Sequence, residues 1–223
     1  KISVNEKLNE GLKKLGLEFS QNQISRIETY ISCVLEFNKT YNLMKADSTD
    51  ELTVNHILDS LAAAPSIASF IQKIQEKKNI AALQIADIGS GGGCPGIPLA
   101  VAFPEQNFTL IERMEKRCGF LESAVCKMNL SNVNVNCIQA DLIKPESFDI
   151  EVFRAFHPFD SKNTKLLLRM LKKGGILAAY KARAEKISAE MESIKFLVPS
   201  YKKIKLEVPF LEDHERNLVV VEK

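Results

Sequence analysis

The sequence contains no tryptophan, three widely separated histidines, and five cysteines, none of which stands in a Cys-x-x-Cys pair. Zinc sites and disulfide frameworks commonly need such close pairs, so neither is expected and no metal site is predicted. The cysteines are therefore interpreted as small core residues of a protein in a reducing compartment, the cytoplasm. They are Cys33, Cys94, Cys118, Cys126 and Cys137.

Long hydrophobic runs are also missing. No apolar stretch approaches the roughly 20 residues that are needed to cross a bilayer. Residues 1–6 do not resemble a signal peptide. A membrane partner is therefore not expected.

Charge is nearly balanced overall but unevenly distributed. The 223 residues include 30 basic and 28 acidic side chains, and 45% are apolar, which suits one compact domain with an appendage or two small domains. Residues 1–60 carry 7 basic and 9 acidic groups, whereas residues 161–205 carry 12 basic and 3 acidic groups. The second segment is compatible with polyanion binding, although charge alone favours ordinary lysines that keep a surface soluble.

The first third of the chain has the pattern of helices. A capping-box pattern begins at Ser20 and is followed by apolar residues at helical spacing, and a second start signal begins at Ser48,. The second helix is expected to stop before Pro65, and residues 73–79 are expected to form a lysine-rich hinge. The predicted domains are an N-terminal helical cap at 1–75 and a second domain at 80–223.

After residue 80, short β-rich runs alternate with helical stretches. The predicted strands are 83–88, 108–111, 133–139, 148–153 and 175–180, and the clearest helices are 116–128 and 161–171. This alternation favours parallel strands with right-handed crossovers and helices on both faces. Residues 201–208 and 217–221 lack a helix between them and predict a final antiparallel pair. The fold class is therefore α/β: a Rossmann-like, doubly wound sheet with an N-terminal helical cap.

A glycine cluster follows the first predicted strand. Half of the ten glycines fall between positions 89 and 96, more than a tight turn needs, and doubly wound folds bind nucleotide-like ligands at this point. A dinucleotide motif G-x-G-x-x-G fails from Gly89, because Cys94 occupies its last position. It fits weakly from Gly91, with Pro95 inside the motif.

The spacing Gly89-x-Gly91-x-Gly93, preceded by Asp87, resembles motif I of the class I S-adenosylmethionine-dependent methyltransferases. Glu112 ends the second predicted strand 21 residues after Gly91, where a carboxylate can accept hydrogen bonds from ribose hydroxyls. Asp141 ends the third strand, where methyltransferases typically hold the adenine.

Longer strings make the resemblance more specific. The string from Asp87 to Leu99, DIGSGGGCPGIPL, resembles the signature of the RsmG/GidB family (glucose-inhibited division protein B). Further matching strings follow in family order between residues 41 and 220, including Tyr41-Asn42-Leu43 and Arg216-Asn217-Leu218. The sequence departs from the family pattern at Met44, Arg113-Met114, Asp141, Phe156-His157-Pro158 and Ala182.

The resemblance implies an enzyme that transfers a methyl group from S-adenosylmethionine to N7 of one guanine in 16S ribosomal RNA. It implies that Gly89, Cys94, Ala140, Asp141 and Arg154 contact the cofactor, with Glu112 on its ribose and Gly91 and Gly93 in its loop. Candidates for the target site are His56, Asp59, Arg154, Lys181 and Arg216. Lys181 and Arg216 are also candidates for phosphate contacts, together with Lys116, Arg117, Lys172, Lys173 and Arg183.

No general base is expected, because guanine N7 carries a lone pair and no proton, so catalysis would depend on alignment. The implied partner is 16S rRNA or the small ribosomal subunit, and a monomer is the default expectation. Three alternatives stay open at this point: another class I methyltransferase, an NAD(P)-dependent oxidoreductase that uses the Gly91 register, and a catalytically silent RNA-binding module.

Overall fold

The computed structural model describes residues 4–223, so residues 1–3 of the predicted N-terminal cap lie outside the described residues. The helices are α1 Val4–Lys14, α2 Gln21–Asn38, α3 Thr49–Leu52, α4 Asp59–Leu61, α5 Ala64–Lys78, α6 Gly96–Ala102, α7 Glu115–Lys127, α8 Ser161–Met170 and α9 Ala184–Ser193. The strands are β1 Gln84–Ile88, β2 Asn107–Glu112, β3 Val133–Cys137, β4 Phe148–Arg154, β5 Leu171–Lys181, β6 Lys202–Lys205 and β7 Asn217–Glu222.

Local capping explains how the N-terminal helices begin and end. The Ser20 side chain accepts from the Gln23 amide in a complete capping box, and the Ser48 side chain accepts from the Glu51 amide at the start of α3. A π-helical segment, Thr53–Leu58, joins α3 to α4. The chain turns before Pro65, as predicted, and Pro65 then lies in the first turn of α5, where its missing N–H costs nothing.

The predicted lysine-rich hinge at residues 73–79 is wrong. Helix α5 continues through this stretch to Lys78 and ends at Asn79 in the left-handed conformation. Ile67, Ile71 and Ile74 are buried at helical spacing, and lysine and glutamine are good helix formers. Burial of this apolar stripe therefore carries the helix through the charged residues.

The sheet has the predicted doubly wound architecture. Its seven strands lie in the order β3-β2-β1-β4-β5-β7-β6. The first five strands are parallel, and β7 pairs antiparallel with both β5 and β6. The carboxyl ends of β1, β2, β3, β4 and β5 therefore meet at one edge, which is called the carboxyl edge below.

Two hydrophobic cores lie on opposite faces of the sheet. One contains Leu8, Ile31 and Ile67 of the N-terminal helices together with Val152 and Val220 of the sheet. The other packs α8 and α9 against the opposite face. The N-terminal helices thus share a continuous core with the sheet.

The sequence did not predict α9, and the final strands differ in length from expectation. β5 begins at Leu171 and β6 covers only Lys202–Lys205. In α9, Ile187 and Met191 are the residues buried at helical spacing, a short apolar stripe within a charged stretch. Across residues 4–223, helices that combine the length and the apolarity needed for a bilayer crossing are absent.

The interpretation of the cysteines as reduced core residues is wrong for most of them. Cys118 and Cys137 form a disulfide, with their Cα atoms 5.8 Å apart. Cys126 is exposed and Cys33 half-buried, while Cys94 is buried. Cys118 and Cys137 are 19 residues apart in the sequence, so no Cys-x-x-Cys pattern predicted this disulfide. The bond depends on how α7 packs on the end of β3.

Candidate functional site

The glycine loop leaves β1 through backbone conformations that favour glycine. Gly89, Gly91 and Gly93 have φ angles of +68°, +59° and +102°, where other L-residues are strained. Oδ2 of Asp87 accepts from the Ser90 hydroxyl at 2.9 Å and from the Gly96 amide at 2.8 Å. This carboxylate therefore ties both ends of the loop to β1.

A first cavity of about 430 Å³ opens at the carboxyl edge beside this loop. Gly89, Glu112, Ala140 and Asp141, four of the residues expected to contact the cofactor, line it together. Its volume is in the range of roughly 300–1,000 Å³ that is typical of small-molecule sites. The ends of three neighbouring strands supply its walls. We call it the cofactor cavity, because residues expected to contact the cofactor line it.

Glu112 connects the end of β2 to the glycine loop. Oε2 accepts from the Gly91 amide at 2.8 Å, and Oε1 accepts from the amides of Arg113 at 2.9 Å and Met114 at 3.0 Å. A carboxylate offers about four acceptor positions, so these bonds leave capacity for a ligand hydroxyl. The Glu112 carboxylate, a hydrogen-bond acceptor in the wall of this cavity, therefore fits a cofactor that carries ribose hydroxyls,.

Gly91, Gly93 and Cys94 shape the loop but are absent from the residues that line the cofactor cavity. The Cys94 side chain faces α2, where the Tyr30 hydroxyl lies 3.3 Å from its sulfur and donates to the Gly92 carbonyl at 2.6 Å. Burial raises the pKa of the Cys94 thiol, so this side chain stays protonated and is a packing group.

A second cavity of about 900 Å³ adjoins the first. All five residues expected at the target site, His56, Asp59, Arg154, Lys181 and Arg216, line it. Arg154, which was also expected to contact the cofactor, lies on this second cavity and is absent from the lining of the first. We call this the target cavity.

A charged network joins the N-terminal helices to the sheet in the target cavity. Asp59 is almost fully buried and bridges two guanidinium groups, Nη1 of Arg154 at 2.9 Å and Nε of Arg216 at 3.0 Å. The second amino group of Arg154 lies 2.7 Å from Nδ1 of His56. Two positive charges therefore meet one carboxylate, which leaves positive charge at this wall.

His56 and Asp59 each have a hydrogen bond with Arg154, and none is described between the two. Burial, followed by the positive charge of Arg154, lowers the pKa of His56. The imidazole is then neutral near pH 7. Its Nδ1 accepts from Arg154, and its Nε2 donates to the Lys45 carbonyl at 3.1 Å.

Lys181 stands at the end of β5 and also lines the target cavity. Its ammonium group donates to Glu190 at 2.9 Å and to the His157 carbonyl at 3.3 Å. It also lies 5.0 Å from the centre of the Phe159 ring. This lysine therefore positions the segment that follows β4.

That segment, Ala155 to His157, is shared by the two cavities and was not among the expected site residues. The Phe156 ring packs against Gly89, so closely that a Cβ added there would overlap it. Ala155 adopts a φ of +53°, unusual for a residue with a side chain,. The available signal was the departure from the family pattern at Phe156-His157-Pro158.

The basic residues between 161 and 205 do not form one uniform patch. Lys172 pairs with Asp149 at 3.1 Å and Lys195 with Glu192 at 3.5 Å, in addition to the Lys181 pair. Of the remaining phosphate candidates, Arg117 lines the cofactor cavity and Lys116 lies 3.5 Å from the centre of the Tyr41 ring.

Comparison with known proteins supplies a family. A family model described as rRNA small subunit methyltransferase G (GidB) matches residues 23–219. A ribosomal RNA small subunit methyltransferase G from Treponema denticola is 39% identical over 238 residues, covering 97% of this chain and 93% of that protein. The protein of the same name from Laribacter hongkongensis is 34% identical and covers 98% of both chains.

Solved structures share the fold. A crystal structure described as a predicted O-methyltransferase from Agrobacterium tumefaciens has a TM-score of 0.52 at 17% identity, covering 63% of this chain and 74% of that one. At 17% sequence identity, the similarity between the two structures concerns only the fold, that is, the sheet and the helices packed on it. It agrees with the doubly wound topology of the seven strands.

Proposed function

Because the chain belongs to the rRNA small subunit methyltransferase G family and is an S-adenosylmethionine-dependent enzyme acting on small-subunit ribosomal RNA, we propose that it methylates N7 of one guanine in 16S rRNA. The observation that carries this proposal is the pair of adjoining cavities at the carboxyl edge. They provide separate places for a small cofactor and for a base, with one shared wall between them.

The cofactor cavity suits S-adenosylmethionine in size and in the chemistry of its walls. Bound there, the cofactor would supply an activated methyl group on its sulfonium. Glu112 would accept hydrogen bonds from the ribose hydroxyls, while Ala140 and Asp141 would flank the adenine. Gly89 lacks a side chain, and the Phe156 ring of the shared wall occupies the space where a Cβ would lie.

The target cavity would bind the guanine and its neighbouring phosphates. Arg154 and Arg216 hold positive charge at one wall, where a phosphate or the guanine carbonyl oxygen could accept hydrogen bonds. Asp59 and the neutral His56 fix the orientation of Arg154. Since N7 has no proton to lose, these residues need only hold the base in line with the methyl group and exclude water.

We further propose that the enzyme is a cytoplasmic monomer that acts on the small ribosomal subunit or its RNA. The guanidinium groups of Arg154 and Arg216, which share the single carboxylate of Asp59 at one wall of the target cavity, support a polyanionic substrate. The basic side chains Lys173 and Arg183 would add phosphate contacts outside it.

The decisive experiment is transfer of labelled methyl from S-adenosylmethionine to small ribosomal subunits, or their RNA, that lack the modification. Label at N7 of one guanine is the expected result. We expect Arg154→Met to reduce this transfer by at least tenfold, from the loss of a charged hydrogen bond, while the remote Arg26→Met behaves like the wild type. Label elsewhere on the RNA, or only on protein, would contradict the proposal.

A further inference from the structure

The far edge of the sheet carries an unusual combination of side chains. Phe196 is 71% exposed and Tyr201 is 38% exposed, in the loop between α9 and β6. The neighbours Ile194 and Val198 are buried in the core, so the loop is anchored while its aromatic side chains face outward. Six large apolar side chains are exposed among the described residues, and two of them lie in this loop, with Phe196 the most exposed of the six.

Lysines continue from this loop along the edge strand. Lys202, Lys203 and Lys205 of β6 are all exposed, and none of them is in an ion pair described for residues 4–223. The charges of Lys203 and Lys202 act on the carboxylates of Glu215 and Glu222, respectively. These carboxylates have other direct partners, namely the Ala184 amide for Glu215 and Lys73 for Glu222. Edge lysines protect a sheet from aggregation, but that role does not account for an exposed phenylalanine beside them.

The strand register connects this edge to the target cavity. Lys205 pairs with Asn217 of β7, and Asn217 pairs with Lys181 of β5. The next amide, that of Leu206, donates to the Arg216 carbonyl at 2.8 Å. β6 therefore ends beside the target cavity at Lys205. Its first residue, Lys202, lies about 10 Å farther along the edge, from the rise of about 3.3 Å per residue.

From this continuity we infer that Phe196, Tyr201, Lys202, Lys203 and Lys205 form a second RNA-binding surface, here called the edge surface. It binds an unpaired segment of the same rRNA whose guanine enters the target cavity. The lysines contact phosphates, and the two rings stack on bases, which single-stranded RNA offers and a duplex does not. This inference rests on the proposed function, because it assigns the substrate of the same site.

The test compares RNA affinity with cofactor affinity in the full-length protein. Phe196→Ser should weaken binding of protein-free 16S rRNA about tenfold, from one lost stacking contact. The triple substitution of Lys202, Lys203 and Lys205 by Gln should make the negative slope of log affinity against log salt shallower by about two. Its matched control replaces Lys13, Lys127 and Lys144, three lysines away from both cavities. S-adenosylmethionine affinity, measured by calorimetry, should stay unchanged in every variant.

Phe196→Trp and Phe196→Leu separate base stacking from apolar contact with a protein. Stacking predicts that Trp keeps RNA affinity and that Leu loses it, whereas a ribosomal protein docking there would accept Leu and leave binding to naked RNA unaffected. RNA affinity and salt slope equal to those of the control triple would overturn the edge surface. If the wild type transfers methyl to the rRNA normally in that case, the proposed function stands. No methyl transfer by the wild type refutes the proposed function instead.

Discussion

Two carboxylates at neighbouring strand ends show how environment assigns different roles to similar residues. Asp87 is buried, holds the glycine loop through Ser90 and Gly96, and keeps one oxygen, Oδ1, without a described partner. Glu112 also holds the loop but lines the cofactor cavity. We therefore expect Asp87 to govern stability and Glu112 to govern cofactor binding.

Asp87 should make the stability of the fold depend on pH. Burial raises its pKa from 3.8 to about 6. A raised carboxyl pKa means that the folded state prefers the proton, so stability is lost as pH rises through about 4 to 6. Relative to Asp87→Asn, the wild type should lose roughly 1–2 kcal/mol of unfolding free energy between about pH 5 and pH 8. Urea unfolding of both proteins at the two pH values measures this, and parallel curves would contradict it.

Glu112 should control cofactor affinity. Glu112→Ala removes the acceptor for ribose hydroxyls and also releases the Gly91 amide, so S-adenosylmethionine binding should weaken roughly 10–100-fold, from charged hydrogen bonds of about 1.5–3 kcal/mol each. Calorimetry measures the affinity directly. Glu115→Ala, which removes an exposed acid from the first turn of α7, is the matched control. An affinity equal to that of the control would remove Glu112 from the site.

Residues at strand ends could be located from the sequence, whereas the charged network could not. Gly89, Glu112 and Asp141 each follow a predicted parallel strand, and such strand ends share one edge of the sheet. Asp59 and Arg154 are 95 residues apart, and their contact depends on how the helical region docks on the sheet. Neither periodicity nor local spacing contains that information.

At the scale of single elements, α2 supports the glycine loop from the side of the N-terminal helices. Its Tyr30 is completely buried, and the hydroxyl donates to the Gly92 carbonyl. The strands were predicted well because β-rich runs are bounded by turn residues. The hinge error and the missed α9 both arose in charged stretches, where a short apolar stripe is difficult to recognise from the sequence.

Tyr30→Phe should affect both stability and cofactor binding. The change leaves the Gly92 carbonyl buried without its donor, which should cost about 1–3 kcal/mol of unfolding free energy. Because the loop loses its lateral support, S-adenosylmethionine affinity should fall about two- to tenfold, a difference of roughly 0.4–1.4 kcal/mol. Chemical denaturation and calorimetry give the two quantities.

A control in the same helix separates the two effects. Ser20→Ala removes the N-terminal cap of α2 and should cost about 1 kcal/mol, without contact to the glycine loop. Its cofactor affinity should therefore equal that of the wild type. If both variants weakened cofactor binding equally, α2 would act through general stability and not through the Tyr30 hydroxyl.

At the scale of the whole molecule, the helical region and the sheet depend on each other. The sequence predicted a cap and a separate domain, and that division follows the change in pattern near residue 80. The core, however, crosses this boundary, with Ile31 and Ile67 packed in the same cluster as Val152 and Val220. The target cavity crosses it too, since His56 and Asp59 come from the helices and Arg154 and Arg216 from the sheet region.

Because core and cavity both cross the boundary, we expect α2 and β4 to unfold together. In hydrogen exchange followed by mass spectrometry at increasing urea, their most protected amides should converge on one opening free energy, that of global unfolding. Residues of β4 and α2 pack in one apolar cluster, so opening either one exposes the surface of the other. If the opening free energy of the helical region were several kcal/mol lower than that of the sheet, the two would not unfold together. The helical region would then be a lid, free to move during RNA binding while the sheet and the cofactor cavity stay folded.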